Sequence, residues 1–400
     1  MKLTVKYRIE VTDEQEKLLR KLGYYATKLY NTDNWQRREI WAQTGKIPDW
    51  YEQKKKLKDN HWYKLLPSQT AQAIIKNLQD NYNSWFHLRK EDPNAKPPGF
   101  RKKNKLSPLT FYQQFSIEGD TITLVMSRKF RAEEGVDKLH LKINNWREIE
   151  GIPKMCNILY ESGKWMAHVV YEIPEVPLKD SPEIMAVDIG IINLAVTVDT
   201  KGNSTIYSGR LALAVQHYFN KEIAKVQSKT MKQYNKRGSK AITNMHKRKR
   251  RQINQIIHMV SKEVVEEAKR NNVGTIVCGD VKNIRRGKNC GRRGNQKLHA
   301  WAFAKLLTQI EYKAKLSGIR FEKVSERDTS KTCSVCGAVR RANRKYRGLY
   351  VCKSCGAELN ADVNAALNIL KKYLQERNIS RSIGVVDAPL TWRAKDVVPS

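Results

Sequence analysis

The chain has 400 residues, 75 of them Lys or Arg against 40 Asp or Glu, for a net charge of +35. Such an excess excludes an ordinary enzyme of small metabolites and makes nucleic acid the natural counter-surface. A hydrophobic share of 40% with 8% aromatics excludes a mere basic tail, and the length leaves room for roughly two to four domains with real cores.

Residues 2–11 alternate as a strand does. This opening has neither the apolar stretch nor the cleavage site of a signal peptide, and no later run reaches the roughly 18 apolar residues of a membrane span. Thr12 stands three residues ahead of Gln15, the spacing of a capping box, and Leu18, Leu19, Leu22, Tyr25, Ala26 and Leu29 follow at helical spacing. A second helix is expected within 32–66. Pro67 and Ser68 open a further one, with Ala71, Ile74, Ile75, Leu78, Tyr82 and Trp85 on one face, the pattern of a core stripe rather than of base-stacking aromatics. The Pro, Gly and Lys segment 93–98 is a boundary. Strands are then expected at 110–117, 121–126, 138–143, 156–161 and 165–173. With 2–11 they would close a small barrel around inserted helices. Lys96, Arg101, Lys102, Lys103 and Lys105 crowd its first entry; they read as a solvated face or as phosphate contacts, and the total charge favours the second. Residues 174–182 read as a linker.

In the second half, two apolar runs, Ile184 to Val187 and Leu194 to Val198, flank Asp188 and Gly190. They describe a buried strand turning into its antiparallel neighbour. Asp188 is then either a turn aspartate facing water or a carboxylate that needs a cation. Lys201, Gly202 and Asn203 make a hairpin turn into a strand at 204–207, and helices are expected at 211–233 and 240–271. Between Ile223 and Lys262 there is no acid, and Lys247 to Arg251 is unbroken positive charge, a face that repels itself without an anionic partner. A strand at 275–281, a Gly- and Arg-rich loop at 285–294 acting as lid or nucleic-acid clamp, a helix at 298–316 and a strand at 320–325 complete the series. Three hairpin strands, helix, strand, helix, strand is the succession of an RNase H-like sheet, with the first strand central and the fourth and fifth parallel to it. Asp188, Asp280 and Glu326 then fall at its carboxyl edge, where open sheets place their chemistry. At about 4.8 Å per strand, the fifth lies about 10 Å from the first, a gap that a glutamate and two metal ions bridge.

Cys333 and Cys336, then fifteen residues, then Cys352 and Cys355, each pair followed by a glycine (Gly337 and Gly356), have the spacing of a structural four-thiolate zinc site. Four of the seven cysteines being so used points to a reducing compartment. Arg340, Arg341, Arg344, Lys345 and Arg347, on the tongue between the pairs, are placed to touch nucleic acid. Cys156, Cys278 and Cys290 have no partner at ligand spacing. Asp362 opens a helix that turns Val363, Ala366, Leu367 and Leu370 inward; it is either a plain N-cap or a metal ligand kept ionised by the helix dipole.

Val187-Asp188-Ile189-Gly190, the run Thr329 to Cys333 with its CxxC pairs, and the run Ala361 to Ile369 together resemble the TnpB (OrfB) family of transposon-encoded proteins, relatives of the type V CRISPR effectors. Leu66 to Ala71 and the helix ahead of Gly318 match too, so the resemblance covers nearly the whole chain. It implies a multidomain α+β protein. A wedge β-barrel would span 1–12 and 91–178, with a helical recognition domain at 13–90. A RuvC RNase H-like domain would span 179–327 and 358–377, with a zinc ribbon at 328–357 and a flexible tail at 378–400. It also implies an RNA-guided, Mg²⁺-dependent DNA endonuclease in the bacterial cytoplasm, at the nucleoid. Its partners would be a transposon-derived guide RNA and double-stranded target DNA bearing a short motif read by the protein. The cofactors implied are one structural Zn²⁺ on Cys333, Cys336, Cys352 and Cys355 and two catalytic Mg²⁺. The family's second motif usually places Glu before Asp on the fourth strand, where this chain has Gly279 and Asp280. Some relatives carry a glutamate just ahead of the Thr-Ser-x-Thr-Cys signature, where Glu326 stands. The expected ligands are therefore Asp188, Glu326 and Asp362, with Asp280 as the alternative. A chain that had lost its site would instead be a guided, nuclease-inactive repressor, and a weaker third reading is a basic ribbon protein that coats nucleic acid.

Overall fold

A computed structural model of the chain describes residues 1–102, 104–280, 291, 303–346, 348–386 and 388–394. It divides into Met1–Glu175 and Val176–Ser400. The expected clamp loop at 285–294 with Cys290, save residue 291, the first residues of the 298–316 helix with Trp301, Lys103, Arg347 and the last residues of the tail lie outside the described residues.

In the first unit, β1 (Lys2–Glu10) buries Val5, Tyr7 and Ile9 and exposes the residues between them, the period of two of a half-buried strand. Four helices follow, α1 (Asp13–Thr44), α2 (Trp50–Leu57), α3 (His61–Lys64) and α4 (Ser68–Glu91). The Thr12–Gln15 capping box forms. Helix α1 runs on well past Leu29, where its apolar period stops, because polar residues continue the buried stripe. Arg37 donates to Asp33 at 2.8 Å, to Gln79 at 2.6 Å and to the Pro48 carbonyl at 2.8 Å, and both members of the ion pair are fully buried. Burial raises the Asp33 pKa, against the pull of Arg37. The α4 stripe from Ala71 to Trp85 is core, as its spacing requires.

The chain then builds β2 (Leu109–Phe111), β3 (Phe115–Glu118), β4 (Thr121–Val125), α5 (Arg128–Glu134), β5 (Lys138–Ile143), β6 (Ile152–Glu161) and β7 (Lys164–Glu172). These strands form a seven-stranded antiparallel sheet in the order β2-β6-β7-β1-β5-β4-β3. The expected strand at 110–117 is broken between β2 and β3, which become the two edges, so no ladder among the described residues closes a barrel. Helix α5 was not expected. Its stop signals are local, Ser127 accepting from Phe130 N at one end and Gly135 at φ 68° at the other.

The second unit contains β8 (Ile184–Asp188), β9 (Asn193–Asp199), β10 (Ser204–Ser208), α6 (Arg210–Tyr234), α7 (Lys240–Arg270), β11 (Thr275–Gly279), α8 (Phe303–Leu316) and β12 (Arg320–Val324). A small ribbon follows, β13 (Arg344–Tyr346), β14 (Leu349–Val351) and β15 (Glu358–Leu359), then α9 (Ala361–Glu376) and β16 (Leu390–Trp392). The main sheet has the order β12-β11-β8-β9-β10-β16. Strands β8, β11 and β12 are parallel, and β9 runs against β8. Both faces are covered, which is why β8 reads as continuous apolar sequence. Met185 and Val187 pack with Val260 and Val264 of α7 and Ile310 of α8, while Ile184 and Ala186 pack with Ile369, Leu370 and Tyr373 of α9.

The tail departs from expectation. Residues 383–386 and 390–392 are docked: Gly384 N donates to Thr200 O at 3.0 Å, Ile383 and Val386 pack beside α9, and β16 adds a sixth strand parallel to β10. No helix among the described residues is long and apolar enough to cross a membrane.

Candidate functional site: an acidic sheet edge beside a cysteine knuckle

Strand parity decides which acids meet. On β8, Ile184 and Ala186 face α9, and Asp188 shares their parity; on β12, Val324 faces α9 and Glu326 follows at the same parity. Gly279, in step with Val277, faces that side too, and its missing side chain is what admits the glutamate. A Cβ at 279 would lie 2.2 Å from both Cγ and Oε1 of Glu326 and 2.6 Å from Cδ. Asp280 has the opposite parity, that of Cys278 on the α7 and α8 side. Its N–H donates to Val324 O at 2.7 Å, and it lines the same cleft of about 930 Å³ that holds Asp188, Glu326 and Asp362.

The fourth acid arrives on α9. Its N-cap is Asn360, whose Oδ1 accepts from Asp362 N at 3.0 Å and Val363 N at 3.2 Å. Asp362 is thus not the cap, and its carboxylate is turned to the cleft. There Asn193 Nδ2 donates to one oxygen at 2.8 Å and Arg344 Nη2 to the other at 2.8 Å. Asp188 is pushed up to about 8, first by burial and then by the negative charge of Glu326 and Asp362, with Arg344 opposing. It is no water-facing turn residue. A carboxylate so raised lacks compensation, and an all-oxygen donor set of this kind suits a hard divalent cation. The carboxylates are spread wider than one ion needs. Among the described residues, the cysteine quartet is the only set of three or more such ligands whose donor atoms all lie within 4.8 Å of one another.

That quartet sits beside the acids. Cys333 and Cys355 Sγ are 3.8 Å apart, Cys336 and Cys352 3.6 Å, close to the ~3.8 Å edge of a tetrahedron with Zn–S bonds of about 2.3 Å. Gly337 and Gly356, at φ 75° and 71°, close the two knuckles by donating to Cys333 O and Cys352 O at 2.9 Å. Backbone amides of Cys355 and Ser354 lower the Cys352 thiol toward the thiolate a metal takes, while against the pull of the Ala357 amide the neighbouring thiols Cys336, Cys352 and Cys333 raise that of Cys355. Cys156 and Cys278 are buried and do not belong to the quartet. The ribbon is bolted to α9 by two asparagines. Asn364 accepts from Ser334 N and donates to Thr332 O, both at 2.8 Å, while Asn368 donates to the Thr329 and Thr332 carbonyls at 2.8 and 2.7 Å.

Comparison with known proteins fits this arrangement. Residues 303–369 match the family model described as Cas12f1-like, TNB domain, and residues 168–285 match the OrfB_IS605 model, described as probable transposase. A TnpB-like protein of Methanocaldococcus jannaschii is 31% identical over 198 residues, 48% of this chain and 70% of the relative. The chain belongs to the TnpB family. The TnpB relative InsQ of Escherichia coli strain K12, provisionally named an RNA-guided DNA endonuclease, is 25% identical over 337 residues, 82% of this chain and 79% of its own. The fold resembles that of Cas12f1. A Cas12f1 chain solved with sgRNA and target DNA superposes at a TM-score of 0.64, 17% identical, over 92% of this chain and 98% of that one.

Sequence reasoning named the acids and the cysteines. It treated Arg344 only as a nucleic-acid contact and passed over Asn193, Thr391 and Arg393, the last two of which line the cleft. Asn193 was within reach of inference as a polar residue opening an apolar strand. Arg393 was not, because nothing in residues 378–400 advertised a strand.

Proposed function

We propose that this chain is the RNA-guided DNA endonuclease of an insertion sequence, and that its second unit is a RuvC-type nuclease domain. The observation that carries the reading is the convergence of Asp188, Glu326 and Asp362 on one cleft at the carboxyl edge of parallel strands, where the charges of Glu326 and Asp362 repel that of the buried Asp188. Nothing in the fold's own stability calls for that repulsion, since burying uncompensated carboxylates costs free energy. Asp188, Glu326 and Asp362 would hold two Mg²⁺, and Cys333, Cys336, Cys352 and Cys355 one Zn²⁺. When bound, the magnesium ions supply Lewis-acid stabilisation of the phosphate's developing charge and acidify the attacking water. Asn193 fixes the orientation of Asp362 by its hydrogen bond. Arg344, on the ribbon, shares Asp362 and lines the cleft, so its guanidinium is poised beside the phosphate that enters. Water attacks phosphorus in line and the 3′-oxygen leaves. Asp280 supports the edge from the other face of its strand.

The sheet of the first unit serves as the wedge and its helices as the recognition part, reading a short motif beside the target and holding the guide RNA. The guide supplies sequence by base pairing, and the basic surface supplies affinity for phosphate. The chain-wide charge of +35 fits that division of labour. Purified ribonucleoprotein incubated with a matched target and Mg²⁺ tests the reading. Wild type should cut, and chelator, Asp188→Ala or Glu326→Ala should abolish cutting. A wild type that binds its target and leaves it whole would refute the nuclease and favour the repressor.

A further inference from the structure

The mechanism above leaves one wall of the cleft unused. Strands β10 and β16 run parallel, with Tyr207 beside Trp392. Both end at the edge that carries the acids, because β9 reverses the direction of β8 and β10 reverses it again, so that β10 and the parallel β16 run the same way as β8. The residues that follow them, Arg210 and Arg393, accordingly line the cleft with Asp188 and Glu326. Strand β16 lies three strands from β8, so by strand spacing Arg393 stands about 14 Å from Asp188, a few nucleotides along a bound strand.

Two further observations single this wall out. Of the four arginines in the cleft, Arg344 pairs with Asp362 and Arg327 with Asp328, whereas neither Arg210 nor Arg393 is in an ion pair among the described residues. The strand that presents Arg393 is also firmly seated. The Trp392 ring lies 5.5 Å from that of Tyr207 and packs on the α7 side of the core. Upstream, the tail crosses the β9–β10 turn at two glycines. A Cβ on Gly202 would meet Val385 O at 2.3 Å, and one on Gly384 would meet Lys201 O at 2.3 Å. Arg381 pairs with Glu183 to hold the approach.

We propose that the C-terminal strand is a working part of the cleft: Arg393, with Arg210 beside it, grips a backbone phosphate of the DNA strand being cut and sets that strand's course across the acids. This rests on the nuclease reading. A guanidinium suits the task because it offers paired donors to two phosphate oxygens and stays charged. Arg393 is a positioning residue, remote from the reacting atoms.

The test is cleavage by the purified ribonucleoprotein of target DNA in which single phosphates near the cut are replaced, one at a time, by neutral methylphosphonate. In wild type, one position a few nucleotides from the cut should lower the rate about tenfold, the scale of a hydrogen bond to a charged group. In Arg393→Ala the unmodified target should be cut about tenfold more slowly, and that one position should have no further effect. Arg393→Lys should restore part of the rate, and all three proteins should melt together, since the side chain is exposed. An Arg393→Ala protein cutting at the wild-type rate, or keeping the full methylphosphonate profile, overturns the proposal and leaves the nuclease standing. A wild type that cuts nothing overturns both.

Discussion

Gly279→Ala is a one-methyl perturbation whose effect follows from the geometry. The new Cβ would lie 2.2 Å from Glu326 Cγ, against an ordinary contact of about 3.5 Å or more between carbons. The glutamate must therefore retreat by more than about 1 Å. A displacement of that size at a reacting centre costs about a hundredfold in rate, or about 2.7 kcal/mol of barrier. Overpacking of a filled strand end adds about 1–3 kcal/mol of lost stability. The decisive variant is the exchange Gly279→Glu with Glu326→Ala, which moves the carboxylate one strand inward on the same face of the sheet and vacates the space it needs. Glu326→Ala alone should cut at least a hundredfold more slowly and Gly279→Glu alone should be crippled by the clash, yet the double variant should recover at least tenfold over either. Such non-additivity is what two residues sharing one volume produce. The assay is single-turnover cleavage of matched target at saturating Mg²⁺, with the melting temperature followed alongside. Full wild-type activity in Gly279→Ala, or a double variant as dead as Glu326→Ala, would refute the claim that Glu326 occupies the space a glutamate at 279 would use.

With chelator present, stability should fall as pH rises from about 4 to about 8, because the folded form keeps on Asp188 a proton that the unfolded chain releases near pH 4. The slope has a ceiling of about 1.4 kcal/mol per pH unit, reduced because Asp188 keeps some contact with solvent; melting against pH should show it in wild type, lose it in Asp188→Asn and lose it on adding Mg²⁺. Cys352→Ser should remove one equivalent of zinc by metal analysis and cost most of the cleavage activity, since Arg344 hangs on the same ribbon. Arg37→Ala should destabilise the first unit by about 3–5 kcal/mol in denaturant unfolding by stranding the buried Asp33 carboxylate, and a double change of Arg37 and Asp33 to apolar residues should cost less than the single one.

What could be read from the chain depended on whether a signal was local or a matter of partners. The β8 run was legible because two covered faces demand unbroken apolar residues, and the zinc ligands because knuckle geometry fixes their spacing. Helix α1 was legible only as far as its apolar period lasted. From Tyr30 on, its inward positions are filled by Asp33, Asn34 and Arg37; Arg37 bonds to Asp33 and to Gln79, Gln53 to Asp33 and Tyr82 to Asn34 across other helices, and pairing over such distances leaves no periodic trace. Which of Glu326 and Asp280 shares a face of the sheet with Asp188 follows from each residue's parity with the apolar residues before it. Val277 and Val324 face α9, so Gly279 and Glu326 do also, and Asp280 does not. Strand β16 stayed hidden because three residues at a sheet edge carry no pattern, and its place is set by contacts with Tyr207 and Gly202.

The asparagines of α9 show why the ribbon belongs to the site. A zinc knuckle could be stable by itself and still leave Arg344 anywhere; here Asn364 and Asn368 fix the first knuckle to α9 within two turns of Asp362. The helix that delivers an acid and the ribbon that delivers the opposing cation are thereby clamped to each other. Truncating either asparagine leaves buried backbone groups of the knuckle without their partners, at about 1–3 kcal/mol each. Asn364→Ala should therefore loosen the ribbon while all four thiolates remain. A protein that keeps its zinc and loses its cutting would separate the metal's structural role from the placement of Arg344; one that keeps both would show that the knuckle holds its position without the clamp.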